Sequence, residues 1–185
     1  MSQNIDLNAL RARIIGNQDS DETRPSSPDK AVVVDSEGRI TLGDQPRGKD
    51  GPETFIPQET FADSIKNDRN IVARYLPANT RELVTDEGIV GFLYSFDTEL
   101  KDRFTLFAFF DGSNYQVQVV KPEIEEYFKD PHTGHLFSDG RICFGVNYSC
   151  GMPSLREAYA KSVLWANGMS IALKTGQFPF SNNNL

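Results

Sequence analysis

Phe104-Thr-Leu-Phe-Ala-Phe-Phe110, the turn residues Asp111-Gly-Ser-Asn114 and Tyr115-Gln-Val-Gln-Val119 form the stretch whose reading decides the fold. A short run that is apolar on both of the faces a strand presents predicts a strand covered on two sides. In the returning segment Tyr115, Val117 and Val119 alternate with Gln116 and Gln118, which predicts one buried face and both glutamines toward water. Upstream, Ile89 to Phe96 reads as a further strand. Strands this closely spaced and joined by short turns predict an antiparallel meander rather than crossover units.

Around this stretch the composition changes. Nine of the 13 Phe residues lie between Phe92 and Phe144, so the core belongs to the second half of the 185-residue chain. Pro, Asp, Ser and Gly dominate residues 17–53, which cannot bury enough apolar surface to offset their chain entropy. Residues 1–55 therefore read as a mobile or partner-docking arm, and residues 56–185 as the folded domain. Two pieces of the arm carry patterns. Leu7, Leu10 and Ile14 recur at helical spacing up to Gly16, giving a short amphipathic helix that needs a surface to lie on. Ala31-Val-Val-Val34 and Arg39-Ile-Thr-Leu42 flank a Gly-containing turn and predict a hairpin. A weaker helical pattern runs over residues 58–85, with Phe61, Ile65, Ile71 and Val72 ahead of Tyr75-Leu-Pro77.

Near the end of the chain, Ser154-Leu-Arg-Glu157 is a capping box. Leu155, Tyr159, Val163, Ala166, Met169 and Leu173 then mark the core-facing stripe of a long helix, which Lys174, Gly176 and Pro179 terminate. Gly168 in its middle is a candidate kink. Strands followed by a packed helix predict an α+β domain, an antiparallel β-meander with packed helices.

The net charge is −7, with 19 Lys and Arg against 26 Asp and Glu, which disfavours nucleic acid and anionic membrane surfaces as partners. The run Phe104–Phe110 is far shorter than the roughly 20 apolar residues a membrane helix needs. Met-Ser-Gln-Asn-Ile-Asp at the start has neither the basic opening nor the apolar stretch of a secretory signal. Two cysteines make no disulfide framework. A cytoplasmic protein is expected, and the sequence points to no cofactor and no metal.

Residues with chemistry concentrate in His132-Thr-Gly-His135-Leu-Phe-Ser-Asp-Gly-Arg-Ile-Cys143. A two-residue loop, Asp139-Gly140, would send the side chains of His135 and Cys143 to opposite faces. The three-residue loop Ser138-Asp139-Gly140, with Gly140 left-handed, pairs Phe137 with Arg141, Leu136 with Ile142 and His135 with Cys143. This second register sets an imidazole beside a thiol, because directly opposed residues share a face. Without that partner Cys143 would read as a small buried hydrophobe, and His135 as a strand-end residue bonded to a backbone carbonyl. Cys150 lacks the other half of a zinc site and reads as structural. His132 is an alternative base, and Asn147 and Tyr148 are secondary candidates for shaping the acceptor side.

Phe137-Ser-Asp-Gly-Arg-Ile-Cys143 resembles the active-site segment of ubiquitin-conjugating enzymes, in which His-Pro-Asn is followed by an aromatic, a Ser/Asp-Gly turn, Ile and the thioester Cys. The order of elements is similar over residues 88–175, and residues 136–143 match at motif strength. Thr133-Gly134-His135 stands where the family has His-Pro-Asn, so His135 occupies the Asn position. The family's Pro-rich stretch after the third strand, its Trp-Ser-Pro after the Cys and an obvious first helix for docking the activating enzyme are missing. A histidine in place of the Asn is similar to divergent bacterial members encoded with a ubiquitin-like protein, an activating enzyme and often a JAB-type metalloprotease, in operons linked to antiphage defence.

The resemblance implies a ubiquitin-conjugating-enzyme-like fold and a carrier whose catalytic Cys143 takes a ubiquitin-like protein as a thioester from an activating enzyme. His135 would serve as oxyanion donor or as base for the incoming amine. Two other classes compete. A non-catalytic binding module on the same fold would usually lack the Cys. A cysteine hydrolase using Cys143 with His135 or His132 would need a third residue to orient the imidazole.

Overall fold

A computed structural model of the chain describes residues 5–15, 32–34, 40–42, 61–125, 127, 131–145 and 151–180. In chain order the elements are α1 (Leu7–Ile15), β1 (Val32–Val34), β2 (Ile40–Leu42), α2 (Phe61–Tyr75), β3 (Arg81–Val84), β4 (Val90–Asp97), β5 (Arg103–Phe110), β6 (Tyr115–Lys121), α3 (Pro131–Gly134) and α4 (Leu155–Thr175).

The meander is present: β3-β4-β5-β6 is a four-stranded antiparallel sheet in sequence order. Phe92, Tyr94 and Phe96 stand opposite Ala108, Leu106 and Phe104, which places these six side chains on one face. That face packs on Leu155, Tyr159, Val163, Trp165 and Met169 of α4. The opposite face, carrying Leu93, Phe107, Phe109 and Val120, is covered by Ile5, Leu10 and Ile14. So β5 is covered on both sides, as its continuous apolarity predicts. Among the described residues no helix is long and apolar enough to cross a membrane.

The surface that α1 needs is therefore the domain's own sheet. Arg11 fastens it: Nε donates to Val120 O at 2.7 Å and the guanidinium grips the Glu125 carboxylate at 2.5 and 3.0 Å. Of the segment read as an arm, α1 joins the core, and β1 and β2 pair antiparallel, Val33 opposite Thr41, and lie against α4.

Three expectations need correction. The helical pattern over 58–85 ends at Tyr75, and residues 81–84 form the edge strand β3. Without its pairing to β4 this mostly exposed segment has nothing to hold it extended. Gln116 and Gln118 do not face water; both are 1% exposed. Gln116 donates to Asp111 Oδ2 of the preceding turn at 2.8 Å and Gln118 to the Asp139 carbonyl of the later hairpin at 2.7 Å, so other parts of the chain replace the water their amides were expected to meet. Finally, Gly168 does not break α4. A Cβ there would meet Phe180 and Phe178 at 2.7 and 2.9 Å, so the glycine makes room for the aromatic segment that folds back along the helix.

Candidate active site

The turn at 138–140 has the three-residue form. Phe137 N–H donates to Arg141 O at 2.8 Å, Gly140 N–H donates to Phe137 O at 2.9 Å, and Gly140 is left-handed at φ +79°. Leu136 bridges Ile142, and Cys143 N–H donates to His135 O at 2.8 Å. Asp139 stiffens the turn by accepting from Arg141 N–H at 3.1 Å and from its guanidinium Nε at 2.7 Å.

This hairpin extends the sheet beyond β6. Val119 N–H donates to Gly140 O at 2.8 Å and Ile142 N–H to Val117 O at 2.9 Å. After Gly145 the described chain resumes at Gly151 and pairs again with β6, where Met152 and Tyr115 exchange two backbone bonds of 2.7 and 2.9 Å. Ser154 then caps α4, its Oγ accepting from Glu157 N–H at 3.2 Å, the first bond of the capping box read in the sequence, and donating its own proton to the Glu157 carboxylate at 3.0 Å.

Cys143 lies where the chain departs from this edge, between Ile142 and Phe144, which are 0% and 1% exposed. Its own side chain is half-buried, and Sγ–H donates to Gly145 O at 3.5 Å.

His135 follows the expected pairing with its backbone but not with a regular strand conformation. Its φ is +50°, so the alternation of side chains that set imidazole and thiol on one face does not carry through this residue. The imidazole is 3% exposed and leans on Phe178, with ring centroids 5.2 Å apart. One residue earlier, Gly134 O accepts from Trp165 Nε1–H at 2.9 Å, which ties the hairpin entry to α4. The backbone of His135 thus meets that of Cys143, while its imidazole packs on Phe178 in the segment after α4.

A residue the sequence reading missed is Lys161. Its Nζ donates to Phe144 O at 3.2 Å, placing an amine on the carbonyl immediately after the candidate nucleophile. Burial pushes this amine below the ordinary lysine range, against the opposing pull of Glu157 one turn earlier. Its signal was its place two turns into the helix that follows the Cys, but a single helical Lys carries no mark of what it will touch. The backbone of His132 lies in α3, and its side chain is outside the described residues, as are Asn147, Tyr148 and Cys150. A cavity of about 130 Å³ lined by Ile65, Asp68, Phe92, Phe110 and Tyr115 opens elsewhere, and neither Cys143 nor His135 borders it. Among the described residues no group of His, Cys, Asp and Glu is placed to hold a metal ion. No family model, no curated protein and no solved structure matches the chain.

Proposed function

We propose that the chain is a ubiquitin-conjugating-enzyme-like carrier, in which Cys143 takes the C-terminus of a ubiquitin-like protein from an activating enzyme and passes it to an acceptor. One observation carries the reading. A tight turn sets Cys143, with its side chain half-buried and its amide held by His135 O at 2.8 Å, at the edge of a four-stranded meander just before a capped helix. That order of elements is the one the resemblance implies. The docking helix that the resemblance lacks would be replaced by the N-terminal region, whose α1 lies on the sheet.

The chemistry is an acyl exchange. Cys143 as thiolate attacks the thioester carbonyl of the charged activating enzyme, a tetrahedral oxyanion forms and collapses, and the acyl group remains on Cys143. An amine then attacks the new thioester. His135 acts here by holding Cys143 through its carbonyl and by keeping the hairpin seated against Phe178. A bacterial antiphage conjugation system, with a JAB-type metalloprotease as companion, is the setting the resemblance supports.

The discriminating experiment follows the fate of the modifier. With activating enzyme and ATP, the carrier reading predicts a reducible adduct on Cys143 that amines discharge faster than water does. A hydrolase would instead return unmodified ubiquitin-like protein to solution without accumulating the adduct, and a binding module would form none.

A further inference from the structure

The cavity of about 130 Å³ lies at the end of the sheet, where β4 begins, β5 ends and β6 begins. Helix α2 lends it Asp68, and the turn between β3 and β4 lends it Glu87. The aromatic residues Phe92, Phe109, Phe110 and Tyr115 line much of the rest. Asp68 is only 6% exposed, and Tyr115 Oη–H holds its carboxylate in place, at 2.8 and 2.9 Å from the two oxygens. Glu87 stands exposed at the mouth, with Oε1 accepting from Asp6 N–H at 3.2 Å. Hydrogen bonds from Thr85 and from backbone N–H groups hold the Glu87 carboxyl below its usual range, so it is charged at neutral pH. Among the described residues of this lining two are acidic and none is basic.

We infer that this cavity binds a small alkylammonium head, its charge met by Asp68 and its alkyl body by the aromatic residues. Burying a carboxylate as deeply as that of Asp68 is costly, and a cation that enters the cavity lowers the cost. An ammonium close to Phe and Tyr rings gains further from the negative faces of their π-systems. A hard metal ion is served less well, since it wants a full shell of oxygen ligands and most of this wall is hydrocarbon. Size narrows the choice again. Drug-sized ligands occupy roughly 300 Å³ or more, whereas a cavity of about 150 Å³ accepts benzene, so this one admits a single short alkyl chain with its head. Neither Cys143 nor His135 borders the cavity, and the inference does not rest on the carrier reading.

The test titrates the full isotope-labelled chain with butylammonium chloride and with n-butanol, its neutral counterpart, at matched salt. The expected result is a saturable shift of the Gly88, Ile89 and Tyr115 amide signals by butylammonium, with n-butanol binding at least roughly tenfold more weakly. N-acetyl-lysine methylamide presents the same head on a peptide unit and separates its two sources. Binding as tight as that of butylammonium assigns the site to a lysine side chain, and binding of butylammonium alone assigns it to a free amine. Asp68→Asn keeps an acceptor for Tyr115 Oη–H and should weaken the cation at least roughly tenfold while leaving n-butanol unchanged. Glu87→Gln, at the exposed mouth, should weaken it at most roughly fivefold. Thermal unfolding of both variants is compared with that of the wild type, and the comparison of cation with alcohol on the wild type decides by itself if Asp68→Asn does not fold. The inference is overturned if n-butanol binds as tightly as butylammonium, if no ligand gives a saturable shift, or if a folded Asp68→Asn binds the cation as the wild type does.

Discussion

His135 holds a left-handed conformation at φ +50°, which non-glycine residues seldom adopt and which Asn and His tolerate better than most. That tolerance bears on the substitutions. His135→Asn keeps a side chain suited to this backbone and is expected to retain part of the charging activity. His135→Ala removes the ring that packs on Phe178 and is expected to lose roughly 10²-fold in charging rate by misplacing Cys143. Equal rates for wild type and His135→Ala, measured by single-turnover charging, would remove His135 from the account. Gly140, left-handed at φ +79°, is more constrained still, since a Cβ there would meet Leu7 Cδ2 at 2.8 Å. Gly140→Ala should cost about 1–2 kcal/mol in denaturant unfolding from the backbone conformation alone; an unchanged midpoint would contradict the turn assignment. The turn was legible because Ser138-Asp139-Gly140 is a local code, and its register followed from loop length. The resting place of the imidazole was not, because it depends on Phe178, far along the chain, and on a backbone angle that breaks the pleat.

Among the elements, α1 shows how a marginal helix is stabilised by the surface it covers. Its Arg11 and Glu125 side chains are 6% and 15% exposed, so Arg11→Ala would leave a largely buried carboxylate without its cation. A loss of about 3 kcal/mol is expected from chemical denaturation, the low end for breaking a buried pair because Glu125 keeps some water. Burial pulls the Glu125 carboxyl upward, but the Arg11 guanidinium and backbone N–H groups outweigh it and hold it below its usual 4.5. A carboxylate depressed by folding contributes stability above its unfolded value and loses it as pH falls through the folded one. The α1 amides should therefore lose hydrogen-exchange protection below about pH 4, and unchanged protection factors down to about pH 3 would refute the linkage. The sequence announced α4 through its capping box and apolar stripe, and α1 through its spacing. It did not announce β3, whose residues acquire an extended form only beside β4, nor the reason for Gly168, which lies in Phe178 and Phe180 packing across it.

At the scale of the whole molecule, one sheet is covered twice, by α4 on one face and by α1 with the hairpin turn on the other. The double coverage was legible in the apolarity of Phe104–Phe110. The burial of Gln116 and Gln118 was not, because a glutamine whose amide is met by a turn of the chain, adjacent for Gln116 and distant for Gln118, looks in sequence like one bonded to water. The second face also links the two ends of the account, since Leu7 of α1 rests on Gly140 of the hairpin that carries Cys143. Deleting residues 1–50 removes that brace, β1 with β2, and the cover over Leu93, Phe107 and Phe109, and is expected to lower thermal stability as well as slow charging; unchanged charging would deny the N-terminal region any part in it. The most direct test of the central claim is the intact mass of the chain after incubation with a ubiquitin-like protein, its activating enzyme and ATP, for wild type and Cys143→Ser. The account predicts a mass increase of one modifier that thiols reverse in the wild type, and a thiol-resistant ester of the same mass in Cys143→Ser. An activating enzyme that is itself charged beside a chain of unaltered mass would contradict it.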